Sequence, residues 1–130
     1  MLRTVCRLLP PILILAGCGA SQPHVQVRRL SSGESVKVLG ISKINSSASG
    51  PALMLKYQTD LNMDDADAVH AEAARIWVEF SKDAEQAQVQ SAIVSANAPP
   101  TGAGVISHTR AYNFVFKQNA RGDWREIPQE

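Results

Sequence analysis

Residues 65–88 carry neither Gly nor Pro, and Ala66, Val69, Ala73, Ile76, Trp77, Phe80, Ala84 and Ala87 recur there at steps of three and four. That period belongs to one stripe of an α-helix. Glu72, Arg75, Glu79, Lys82, Asp83 and Gln86 occupy the other side, with Glu72–Arg75 and Glu79–Lys82 three apart, and read as a solvated face. Just ahead, Asn62-Met63-Asp64-Asp65-Ala66-Asp67 supplies carboxylates that accept the free N–H groups of a first turn and complement the dipole there. A helix this long with one apolar stripe must lay it on a second layer.

The flanking segments supply that layer. Val25, Val27 and Leu30 read as a short edge strand, ended by Arg28-Arg29 and Ser31-Ser32-Gly33. Residues 35–44 alternate imperfectly, with Val36, Val38 and Gly40 on one face and Lys37, Leu39, Ile41 and Lys43 on the other. After the loop at 45–51, residues 52–61 alternate better: Leu53, Leu55 and Tyr57 against Met54, Lys56, Gln58 and Asp60, so a hairpin is expected. Beyond the helix, β-branched Val89, Ile93 and Val94 mark a strand that stops at a Pro- and Gly-rich loop, 97–104. Residues 105–118 then set Ile106, His108, Arg110, Tyr112, Phe114 and Phe116 on one face, and a turn at 119–123 leads to a last strand at 124–127. The expected fold is α+β: an antiparallel β-sheet of about 4–6 strands in β-β-α-β-β order, with one long helix packed across one face.

With 130 residues, 45% of them hydrophobic, and only 8 Gly and 7 Pro, the chain has the composition of one small globular domain. A formal net charge of +1 and the absence of a basic run argue against a dedicated nucleic-acid binder.

The N-terminus has a separate role. Arg3 and Arg7 precede an apolar stretch from Leu8 to Ala16, far shorter than the roughly 20 residues that cross a bilayer, which is the pattern of an export signal. It closes on Leu15-Ala16-Gly17-Cys18, which resembles the lipobox of the bacterial lipoproteins at every position. The resemblance implies that residues 1–17 are a signal peptide, that Cys18 is lipidated and becomes the first residue of the mature chain, and that 18–24 form a tether to a single domain, 25–130. Two or three acyl chains, at about 0.8 kcal/mol per buried CH₂, hold such a protein firmly on a membrane. Gly19, where an Asp marks retention in the inner membrane, implies the outer membrane, facing the periplasm. Cys6 leaves with the signal and Cys18 is taken by lipid, so no internal disulfide is expected, and loss of Arg3 and Arg7 turns the net charge to −1. Through Glu72, Ile76-Trp77, residues 93–100, Asn113-Phe114 and Trp124 the domain also resembles small bacterial proteins of no assigned activity, a resemblance that implies no function.

No motif specifies chemistry. His24, His70 and His108 stand without a free thiol or an evident nucleophile, and read as boundary residues rather than catalysts. Asp60, Asp64, Asp65, Asp67 and His70 could suggest a metal, but the EF-hand's Gly and distal Glu are missing and helix capping accounts for the aspartates. Glu72 and Glu79, roughly 10 Å apart along a helix, match an inverting glycosidase in spacing alone; solvated charge accounts for them better. Arg121-Gly122-Asp123 is a turn sequence, and no phosphate-cradling Gly loop opens a helix. The expectation is therefore a lipid-anchored, non-catalytic module binding a protein or envelope component, without cofactor or metal. The alternative is a small envelope hydrolase or ligand-binding domain with a pocket between helix and sheet that uses His108, Arg110 and Tyr112.

Overall fold

The computed structural model describes residues 25–46, 50–100 and 110–128. These form six strands and one helix: β1 (Gln26–Arg29), β2 (Ser35–Ser46), β3 (Gly50–Gln58), α1 (Ala66–Gln86), β4 (Ser91–Asn97), β5 (Ala111–Gln118) and β6 (Trp124–Ile127). The strands lie in one sheet in chain order, with α1 across one face, as an α+β fold.

The sheet is mixed, and here the expectation of antiparallel pairing throughout needs correction. Four neighbouring pairs are antiparallel, but β3 and β4 run parallel, from Ala52 opposite Ser91 to Gln58 opposite Asn97. The cause is the helix between them: 21 residues at 1.5 Å per residue carry the chain about 31 Å back along the sheet, so β4 starts from the same end as β3.

Asp65 is the N-cap of α1, its carboxylate accepting from the Ala68 N–H at 3.1 Å. The helix ends without glycine. Gln88 adopts a left-handed φ of 57°, its N–H donates to the Glu85 carbonyl and the Val89 N–H to the Ala84 carbonyl, the paired bonds of a Schellman cap. Val69, Ala73, Ile76, Phe80 and Ala84 are the buried stripe. They meet Leu53, Leu55 and Tyr57 of β3, Ala92, Val94 and Ala96 of β4, and Phe116 of β5. Trp77 lies flat on Phe116, ring centroids 4.1 Å apart, and meets Phe80 and Trp124 edge-on, so one helix side chain ties together the two C-terminal strands.

The imperfect alternation of β2 has a structural cause. Val38 faces Tyr57, but the next partnered residue, Gly40, faces Lys56, so Leu39 is the extra residue of a bulge. Beyond it the faces exchange: Ile41 and Lys43, opposite Leu55 and Leu53, stand on the same side as Val36 and Val38 rather than on the opposite side as the sequence pattern suggests.

Candidate functional site

Among the described residues, no helix or second sheet packs on the sheet face opposite α1, although Ala52, Ser91 and Ser95 on it are buried, and register determines which residues share that face. Met54, Ile93, Val115 and Ile127 stand side by side on β3, β4, β5 and β6, an apolar row about 14 Å long at the usual strand spacing. On one side of the row lie Lys56, Ser95 and Asn113; on the other lie Ala52, Ser91, Lys117 and Arg125. Arg29 and Lys37 add to this face on β1 and β2. Every charge that the described strands present there is thus positive. Lys37 has Asp60 at 3.6 Å, from the loop after β3, whereas Arg29, Lys56, Lys117 and Arg125 take no carboxylate partner among the described residues.

The helix layer has the opposite balance, with Asp67, Glu72, Glu79, Asp83 and Glu85 against Arg75 and Lys82. A near-zero net charge therefore conceals a separation of charge across the thickness of the domain. The sequence shows no basic run because β-alternation distributes these residues from position 29 to position 125, and only strand pairing gathers them.

The residues expected to line a pocket lie elsewhere. Arg110 is exposed and donates to Asp64 Oδ1 at 2.8 Å, and Tyr112, half-buried, donates its hydroxyl to the Met63 carbonyl at 2.9 Å. Asp64 holds the Arg110 guanidinium still more firmly in its charged form. Both side chains fasten the 59–65 loop to β5, which positions the start of α1. His108 and Cys18 lie outside the described residues. His70 turns to Glu126 of β6, 2.8 Å from Oε2, and packs on the Phe114 ring.

A cleft of about 490 Å³ lies where β1, β2 and β3 meet the loop after β3, lined by Val36, Lys37, Tyr57, Asp60 and Leu61 among others, with Glu72 the one residue of α1 on its wall. The expected Glu72–Arg75 pair does not form, because Arg75 reaches across to Glu34 instead, with Nε 3.2 Å from Oε2. Likewise Glu79 accepts from the Ser31 hydroxyl and N–H rather than pairing with Lys82. Glu72 is left half-buried above Tyr57 rather than solvated. Burial, and after it the Glu72 carboxylate, push the Tyr57 phenol far above its ordinary range, so it stays protonated at any physiological pH.

Among the described residues no cluster of three or more His, Cys, Asp or Glu is placed to hold a metal ion, and no helix is long and apolar enough to cross a membrane. No family model, curated protein or solved structure matches the chain.

Proposed function

We propose that this protein is a lipid-anchored, non-catalytic binding module of the cell envelope, held by Cys18 in the outer membrane and facing the periplasm, whose open sheet face receives an anionic partner. The observation that carries the reading is that face: an apolar row, Met54 to Ile127, between Lys56 on one side and Lys117 and Arg125 on the other, which take no carboxylate partner among the described residues. Unpaired cations around an apolar strip favour a partner of complementary charge, which gains electrostatic steering at the rim and desolvation at the centre. The tether agrees with this role. Seven peptide steps separate Cys18 from Val25, so a lipidated Cys18 would keep the start of the domain within about 25 Å of the bilayer and raise its effective concentration for partners in that plane.

Photo-crosslinking in intact cells from a probe at Asn113, on the open face, tests both halves. Wild type should give discrete envelope crosslinks, Lys56→Glu/Lys117→Glu should lose them, and Cys18→Ala should release the protein from the membrane fraction and weaken them. Crosslinks indifferent to the charge reversal would refute the assignment of the face, and membrane retention of Cys18→Ala would refute the anchor.

A further inference from the structure

Among the described residues, the outer edge of β2 is open over most of its length. β1 pairs only with Ser35 to Val38, whereas residues 40–46 pair with β3 on one side and with no strand on the other. About 20 Å of strand thus presents outward backbone N–H and C=O groups that a further strand would satisfy. A notch of about 320 Å³, lined by Gln26, Val38, Leu39, Gly40 and Ile41, marks the point where β1 ends and this edge begins.

The side chains along the edge select what can pair there. Ile41 and Lys43 stand exposed on the helix side of the sheet, opposite Leu55 and Leu53, and Gly40 stands on the open face opposite Lys56. Neither lysine has a carboxylate at salt-bridge distance among the described residues. Nothing lies within 4 Å of where a Cβ of Gly40 would stand, and its φ is not left-handed, so neither crowding nor conformation within the chain calls for glycine. A glycine inside a strand is also where another backbone comes close. A strand added outside β2 would lie about 10 Å from β3, a gap that a Glu and a Lys side chain span from opposite sides when the residue between them has no side chain. Pairing with a second copy about the middle of this edge would instead bring two Lys43 side chains together on one face, which like charge opposes. We infer that the free edge of β2 takes up an extended acidic peptide as a seventh strand, one carboxylate meeting Lys43, a second reaching across Gly40 to Lys56, and an apolar side chain between them packing on Ile41. The Lys56 contact rests on the reading of the open face as the seat of an anionic partner; the backbone pairing and the Lys43 contact do not.

Gly40 and Lys43 are three residues apart, so an antiparallel occupant needs carboxylates at the same spacing. The probe is therefore the peptide acetyl-Ser-Glu-Thr-Val-Glu-Thr-amide, titrated into the full chain in nonionic detergent, with affinity and position read from amide chemical shifts and pairing from amide hydrogen exchange. Binding should slow exchange within residues 39–46, and the same peptide with Gln for both Glu should bind about tenfold more weakly. Lys43→Glu should weaken the acidic peptide about fivefold, and Gly40→Val, which meets no clash in the free protein, should do the same by closing the gap to Lys56. Lys56→Glu/Lys117→Glu separates the two readings: loss of envelope crosslinks in that variant, with peptide protection of residues 39–46 retained, would remove the Lys56 contact and leave the edge as the peptide site. Unchanged exchange in residues 39–46, equal binding of the Gln peptide, undiminished affinity in Lys43→Glu, or shifts confined to Met54, Ile93 and Val115 would each overturn the edge assignment, the last while leaving the open face as the anionic seat.

Discussion

The two faces of the sheet are built from alternate residues of the same strands and yet obey different rules. On the face beneath α1, Leu53, Leu55, Tyr57, Ala92, Val94 and Ala96 are buried, and two margin side chains reach the helix: Arg28 pairs with Asp83, and Glu126 lies against the His70 ring nitrogen. On the other face Lys56, Lys117 and Arg125 stand around half-buried Met54, Ile93 and Val115 with no carboxylate partner among the described residues. One face is packed and tied to the helix; the other carries its cations around a half-buried apolar row. The contrast shows that the packed core and the uncompensated charge are divided here by side-chain parity, one residue apart along each strand.

Neighbouring positions on β3 put that contrast to its hardest test. Leu55 is 1% exposed beneath the helix, whereas Met54, the preceding residue, points the other way and is half-buried. Leu55→Ala removes packed methyl groups and leaves a cavity, for an expected loss of about 2–5 kcal/mol in urea unfolding. Met54→Ala gives up only partial burial and should lose about 1 kcal/mol. Equal losses would mean that the open face is packed in the free protein and is not a docking surface.

Loss of one helix cap should be felt less. Asp65→Ala leaves the Ala68 N–H without its acceptor and should destabilise the domain by about 1 kcal/mol. At the other end, Gln88→Gly relieves an L-residue at φ 57° and should stabilise by about 0.5–1 kcal/mol, since the left-handed region strains any side chain. A destabilised Gln88→Gly would show that the glutamine side chain contributes contacts beyond its backbone geometry.

These elements also mark what a sequence makes visible. The helix, its Asp65 cap and the aromatic stripe Tyr112, Phe114 and Phe116 can be read directly, because a period of 3.6 or 2 and a capping carboxylate are local signals. Strand direction is not local: alternation in residues 52–58 and 91–97 says which side chains share a face but not that the two strands run parallel. The bulge at Leu39 is one residue in an otherwise regular pattern, and the helix stop at Gln88 carries a side chain where glycine is the usual signal. The placing of these charges was hidden for one reason. Lys56 and Lys117 become neighbours on one face only through two strand pairings, and Glu72, on the polar side of α1, looks solvated until Arg75 turns to Glu34 and leaves it over Tyr57.

Ion pairs on the covered side should contribute little. Arg28→Ala breaks a 2.6 Å contact with Asp83, but both side chains are about a third exposed, so the loss in unfolding free energy should stay below about 1 kcal/mol. A much larger loss would indicate that this pair clamps β1 to α1 rather than merely decorating the margin.

Charge reversal on the open face should have the smallest effect on folding and the largest on recognition. Lys56 and Lys117 are exposed, lie on a face whose other charges are Arg29, Lys37 and Arg125, and make no ion pair among the described residues. Replacing both with Glu therefore removes no favourable contact and introduces attraction to the remaining cations. The unfolding free energy of Lys56→Glu/Lys117→Glu should stay within about 0.5 kcal/mol of wild type and lean toward stabilisation at low ionic strength. In about 1 M salt, where the Debye length falls to about 3 Å, that difference should vanish, because it arises from repulsion between separated charges and not from packing. A loss that persists in high salt would show that the lysine stems support the strands through contact, and the face would then belong to the fold as much as to a partner.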